Sequence, residues 1–155
     1  MRVLLKLVLD CPPDAAWQAL TSPTVFRRVS APFTTFESLE TGGFPERWTE
    51  GVHPVRAKAL GLVPMGLQTI DLAFIERDGA RIVRDTGRGL SGALSLVDDW
   101  EHSMAVSPAP GGRTLYRDQL RFSVRPASAA AWPAFWAFWQ WRGSRIRSLA
   151  SEWQR

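Results

Sequence analysis

The residues best suited to chemistry lie on two alternating stretches near the C-terminal half. Trp100, His102, Met104 and Val106 share one face of a predicted strand, and Tyr116, Asp118, Leu120, Phe122 and Val124 share one face of the next. With the hairpin between them centred near Pro110, partners have numbers summing to about 220, which sets His102 beside Asp118, Met104 beside Tyr116 and Trp100 beside Leu120. An aspartate bonded to one imidazole nitrogen fixes the tautomer and raises the basicity of the other, as general-base catalysis requires. The same pair also makes sense as mutual satisfaction of two buried polar groups, with no chemistry attached. A slip of two residues would put His102 opposite Tyr116 or Leu120 and dissolve the pair.

Asp85 is a third candidate. A turn at Asp78-Gly79 sets Leu72 opposite Asp85 and Phe74 opposite Val83, so Asp85 joins Ile70, Leu72 and Phe74 on an inner, apolar wall. A carboxylate there needs either a counter-ion, for which Arg56 or Lys58 on the preceding strand stands available, or a ligand to polarise. Whether those two or Val55, Ala57 and Ala59 point inward depends on a loop register that the sequence leaves open.

Five of the eight tryptophans fall in the last 24 residues. At about 100° per residue, Trp132, Phe135, Trp136, Trp139, Gly143, Ile146, Ala150 and Trp153 occupy one helical face. Trp136 and Trp139 then serve as a stacking platform for an apolar ligand or as core, and Gly143 leaves room for a ligand or for a close strand. Trp141 falls on the opposite side with Arg142, Arg145 and Arg147 nearby, which reads as an interaction surface.

Other signals carry less. The glycines of Gly87 to Gly92 do not open a helix after a parallel strand, so that segment is a strand connection and not a phosphate cradle. His53 and His102 lie on different strands without a third ligand, so neither a metal nor another cofactor is expected. Cys11 lacks any sign of a partnering base and reads as packing.

These residues are positioned by a legible order of elements. Met1 to Asp10 alternates as a strand; Pro12-Pro13 stops it and opens a helix through Leu20. Pro23 ends that helix, and a second short one runs from Thr24 to about Val29. Turn signals then divide Phe33 to Val124 into strands near 36–40, 48–59, 67–76, 80–86, 94–106 and 113–124. Pro126 stops the last, and a long helix runs from about Ser128 to Glu152, with Pro133 in its beginning. The order β-α-α-β6-α predicts an α+β fold: a curved seven-stranded antiparallel sheet gripping the C-terminal helix, with space between them.

Composition narrows the class. The chain of 155 residues is 45% hydrophobic and 22% charged, the mixture of one folded domain, 1–155, without repeats or linkers. A net charge of +4 is too small to mark a nucleic-acid binder. No apolar run is long enough for an integral membrane segment, Val3 to Leu9 lacks a leader's cleavage site, and one cysteine fits a reducing, cytoplasmic setting.

With the element order in place, the chain resembles the helix-grip superfamily, also called START-like or SRPBCC, which includes the birch-pollen-allergen type, lipid-transfer domains and the polyketide cyclase/dehydrase group. The order matches along the whole length. Three stretches carry the likeness further: Leu9-Asp10-Cys11-Pro12-Pro13-Asp14 before the Trp17 helix, Leu60-Gly61-Leu62-Val63-Pro64-Met65-Gly66, and Asp99-Trp100-Glu101-His102 followed by Gly111 to Asp118. The last is similar to the aromatic-x-histidine strand and following aspartate strand of small bacterial members. The resemblance implies a cavity for a hydrophobic small molecule, with enzyme chemistry in some branches only, and names no ligand.

Three functions stand from the sequence. The leading one is binding or transport of a lipid, isoprenoid or aromatic polyketide, with Ile70, Leu72, Phe74, Asp85, Trp100, Met104, Tyr116, Leu120, Trp136, Trp139 and Gly143 as ligand contacts. The second is a cyclase, dehydrase or hydrolase in which His102 and Asp118 are catalytic. The third is an interaction module that dimerises or engages a partner through the basic, Trp141-bearing helix surface.

Overall fold

The computed structural model describes residues 1–126 and 128–153. Strand β1 (Arg2–Leu9) is followed by helices α1 (Pro13–Leu20) and α2 (Pro23–Ser30), strands β2 (Thr34–Ser38), β3 (Gly51–Ala59), β4 (Val63–Arg77), β5 (Ala80–Asp85), β6 (Val97–Ala109) and β7 (Arg113–Val124), and helix α3 (Ser128–Ala150). The strands form one seven-stranded antiparallel sheet in the order β1-β7-β6-β5-β4-β3-β2. The α+β architecture is the one the pattern predicts.

Local chemistry accounts for the helix starts. Pro13 and Pro23 each occupy a first helical turn, where a missing N–H costs nothing, and Ser22 caps α2 by accepting from Val25 N. Pro23 therefore opens α2 as well as closing the chain's exit from α1. In β1 the expected alternation holds: Val3 and Leu9 are buried and Leu5 and Leu7 half-buried, while Arg2, Leu4, Lys6 and Val8 face out.

Several strand ends differ from the pattern: β4 starts at Val63, four residues early, because the Gly61 turn is tight enough for Ala59 to pair with Val63, and β6 runs on to Ala109. Residue 48 does not begin β3: Trp48 N bonds Thr21 O, and the buried indole packs against Phe26, Phe44 and His53. Residues 94–96 belong to a 3-10 turn closed by Ser95 Oγ donating to Gly92 O, so β6 starts at Val97. Strand β2 begins two residues early, at Thr34, where it pairs with Ala59.

The β6–β7 hairpin pivots on Gly111 and not on Pro110, because Pro110–Gly112 form the turn and Ala109 pairs with Arg113. His102 consequently pairs with Leu120, Met104 with Asp118 and Trp100 with Phe122. The expected opposition of His102 and Asp118 is thus replaced by a shift of two. The β4–β5 hairpin, in contrast, has the predicted register, with Leu72 opposite Asp85 and Phe74 opposite Val83.

Helix α3 lies across the concave face and touches the sheet most closely at β1. A Cβ on Gly143 would stand 3.0 Å from Leu5 Cδ1, so this glycine permits a close strand and not a ligand. The helix is also turned from the expected face. Trp139, Arg142, Gly143, Ile146, Leu149 and Ala150 are buried, whereas Trp136 is 46% exposed and stacks on Trp132. The buried stripe is thereby shifted toward Arg142 and Leu149. Pro133, left as an open boundary by the sequence, sits exposed inside the helix. Among the described residues no helix is long and apolar enough to cross a membrane.

Candidate functional site

Between the concave sheet and α3 lies a cavity of about 730 Å³, within the range of small-molecule sites. Phe26 and Phe36 close one side, Ala57, Met65 and Ile70 form the floor along β3 and β4, and Phe135, Phe138 and Trp141 form the roof. A smaller chamber of about 50 Å³ adjoins it, bordered by Leu72, Val83, Met104 and Ile146. Phe26, Ile70, Asp85, His102 and Arg142 border both spaces. A polar waist therefore separates a large apolar chamber from a small one.

The alternation of β5 and β6 aims Asp85 and His102 inward as directly paired residues. His102 Nε2 lies 2.8 Å from Asp118 Oδ1, although the shifted register makes Asp118 a diagonal neighbour. Long side chains span the diagonal spacing of an antiparallel pair, so the slip did not dissolve the dyad. Asp118 is buried and accepts twice more, from Trp139 Nε1 at 2.9 Å and from the Tyr116 hydroxyl at 2.6 Å.

Burial by itself raises the Asp118 pKa, but the charge and hydrogen bond of His102, then Arg142 and the Tyr116 hydroxyl, outweigh it and hold the carboxyl at about 2. Tyr116 is pushed well above its ordinary 10, first by burial and then by the adjacent Asp118 charge. An ionised Asp118 only accepts, so Nε2 of His102 carries the proton. The other ring nitrogen, Nδ1, meets no hydrogen-bond partner among the described residues.

Asp85 is held differently. Its Oδ1 accepts from Asp71 N and Gly87 N, both at 2.9 Å, and its Oδ2 accepts from Trp100 Nε1 at 3.2 Å. Burial pushes its carboxyl above the ordinary 3.8, opposed by those backbone donors, by His102 and by the indole. Neither proposed counter-ion serves it: Arg56 points outward and pairs with Glu37, because Val55 and Ala57 take the inner positions of β3, and Lys58 pairs in the ladder beside them.

The remaining expected contacts divide by depth. Ile70 and Trp100 line the main cavity with Asp85, His102 and Trp139, and Leu72 and Met104 border the small chamber. Phe74 packs edge-on against Trp17, Tyr116 lies fully buried behind Asp118, and Leu120 is enclosed with Val3, Phe122 and Trp139. Trp136 and Gly143 stand outside the cavity for the reasons of helix rotation and close packing given above.

Two helix residues take unexpected places. Trp141 is no exposed interaction point: its Nε1 donates to Ala31 O at 3.1 Å, its ring meets Phe33 edge-on, and it lines the cavity. Arg142 is buried at 5% exposure, with its guanidinium carbon 5.1 Å from the Trp139 ring centroid. Its spacing of three from Trp139 was the available signal, since that step stays on one helical face. His53 is already committed, to Glu40 Oε1 and Thr49 O. Among the described residues no group of three or more His, Cys, Asp or Glu side chains is arranged to hold a metal.

No protein-family model matches the chain, and no curated protein matches it in sequence. Solved structures do match in shape. A hypothetical protein of Helicobacter pylori aligns with a TM-score of 0.71 at 11% identity, over 97% of this chain and 88% of its own. A Thalictrum flavum norcoclaurine synthase point mutant, solved with a transition-state analogue, aligns with a TM-score of 0.65 at 14% identity, over 98% and 94% of the two chains. A protein of the dynemicin biosynthetic locus aligns with a TM-score of 0.56 at 14% identity, over 97% of this chain and 47% of its own. At such identities the likeness speaks for shape alone, and the shape is the helix-grip fold.

Proposed function

We propose that this protein binds or transports a hydrophobic small molecule, such as a lipid, isoprenoid or aromatic polyketide, between the sheet and α3. The observation that carries the reading is the cavity of about 730 Å³, walled by aromatic and aliphatic side chains with few polar groups. A pocket of that size and lining excludes water from an apolar ligand while a few fixed polar atoms orient it. The shape likeness to a synthase solved with a small-molecule analogue is compatible with it.

The test is native mass spectrometry of the purified protein, together with tryptophan-fluorescence titration by apolar probes. Ala57→Phe, which adds a ring to the cavity floor, should abolish retention or weaken probe binding by about 10-fold or more while leaving the fold intact. Wild type that retains and titrates nothing would overturn the reading.

A second reading is favoured by one observation, the unengaged Nδ1 of a histidine whose other nitrogen is anchored to an ionised aspartate. In it, His102 abstracts a proton from a bound substrate and Asp85 polarises the substrate. Its signature is a rate loss of about 10²- to 10⁴-fold in His102→Ala with folding preserved. An unchanged rate would remove His102 from the chemistry.

A further inference from the structure

The charged groups at the waist and directly behind it are satisfied unequally. Asp118 accepts three hydrogen bonds, from His102, Trp139 and Tyr116, and Asp85 accepts three, from two backbone N–H groups and Trp100. Arg142 is buried, yet its Nε has no hydrogen-bond partner; its Nη2 donates at 3.8 Å to the thioether of Met104, and the guanidinium also acts on the Tyr116 hydroxyl, which is already bonded to Asp118. Among the described residues no carboxylate forms an ion pair with it.

This is an unusual burial. A guanidinium stays charged at any ordinary pH and offers five donors in a fork that matches a carboxylate. Taking it out of water without a carboxylate partner is costly, and a cation–π contact with Trp139 together with the charge of Asp118 and the Tyr116 hydroxyl offsets only part of that cost. Arg145 also has an unpartnered Nε, but it does not line the cavity. Arg142 does, and it borders both chambers.

We infer that Arg142 is the recognition group for an acidic ligand: the molecule in the cavity is an amphipathic carboxylic acid whose carboxylate pairs with the Arg142 guanidinium and whose apolar body fills the larger chamber. The inference rests on the cavity reading above and adds the chemical class of its ligand. The ligand is the natural source of the acceptor, because Asp85, which lines the cavity, and Asp118, which lies behind it, each already accept three hydrogen bonds. A carboxylate suits the place because its two oxygens engage the fork in parallel. The small chamber beyond the waist has room for a short apolar branch only.

The experiment uses the full chain and two matched probe pairs: hexadecanoic acid with hexadecanol, and 1-pyrenebutyric acid with 1-pyrenebutanol. Tryptophan quenching or calorimetry gives each Kd. Wild type should bind the acid of at least one pair about 10-fold or more tightly than the alcohol. Arg142→Met, which fills the same space without charge, should bring acid and alcohol within about 3-fold while keeping the alcohol's affinity. Should that variant fail to fold by circular dichroism, Arg142→Lys takes its place, and losing most of the acid preference while retaining charge supports the fork. Equal binding of acid and alcohol by wild type, or an undiminished preference in the folded variant, overturns the inference and leaves the cavity reading standing. If neither pair binds, both fall.

Discussion

Substituting Asp118 by asparagine tests the electrostatic account of the waist directly. The carbonyl of the amide can still accept from His102 Nε2 and Trp139 Nε1, and the Tyr116 hydroxyl can turn to accept from the amide nitrogen. Shape and most hydrogen bonds survive, so the change isolates the charge. A carboxyl held at about 2 against an ordinary 3.8, at about 1.4 kcal/mol per pH unit, corresponds to about 2–3 kcal/mol of folding stability at neutral pH. The sign follows from the depressed value: the contribution is complete above pH 4 and drains away as pH falls toward 2. Urea unfolding of wild type and Asp118→Asn should therefore show a gap of about 2–3 kcal/mol at pH 7 that narrows between pH 4 and 2. Subtracting the two curves removes the other carboxylates, Asp85 included, whose raised pKa acts in the opposite sense. A variant within about 0.5 kcal/mol of wild type at pH 7, or a gap constant down to pH 2.5, would refute the reasoning.

Three further outcomes are expected. Gly143→Val drives a branched side chain into Leu5 Cδ1, which a bare Cβ already approaches to 3.0 Å, and should cost about 2 kcal/mol or more by denaturant melting, whereas Gly143→Ala should be nearly neutral because its helical gain of about 1 kcal/mol offsets a small shift of Leu5. Gly87→Ala would set its Cβ 1.9 Å from Thr69 O, so hydrogen exchange should show the 87–92 connection detached from β4, with stability lowered by about 2 kcal/mol or more. Trp139→Phe keeps an aromatic face for Arg142 but removes the indole donor to Asp118, and should lower stability by about 1–2 kcal/mol; unchanged unfolding would show that the bond adds nothing.

The waist also explains why a shifted register left the dyad intact. His102 and Asp118 were legible as inward-facing residues on neighbouring strands, and that survives any even slip because the side-chain period is two. What the slip changed is the route of contact, diagonal in place of direct, and with it the neighbours: Met104 stands opposite Asp118 and close to Arg142. The pivot depends on which of three adjacent turn residues sits at the apex, a choice among nearly equal local conformations around Pro110-Gly111-Gly112.

Alternation, proline stops and glycine turns are local properties, and they determined the order of elements, the curved antiparallel sheet, the inward set of His102, Asp118, Asp85 and Ile70, and the long terminal helix. The rotation of that helix was decided only when its close approach at Gly143 met Leu5 of the first strand, a contact between residues far apart in the chain. That rotation exposed Trp136, turned Trp141 toward Ala31 and buried Arg142 beside Trp139. A helical wheel fixes angles within one helix but not the helix's rotation against its neighbour, because that rotation is set by the packing of both surfaces at once.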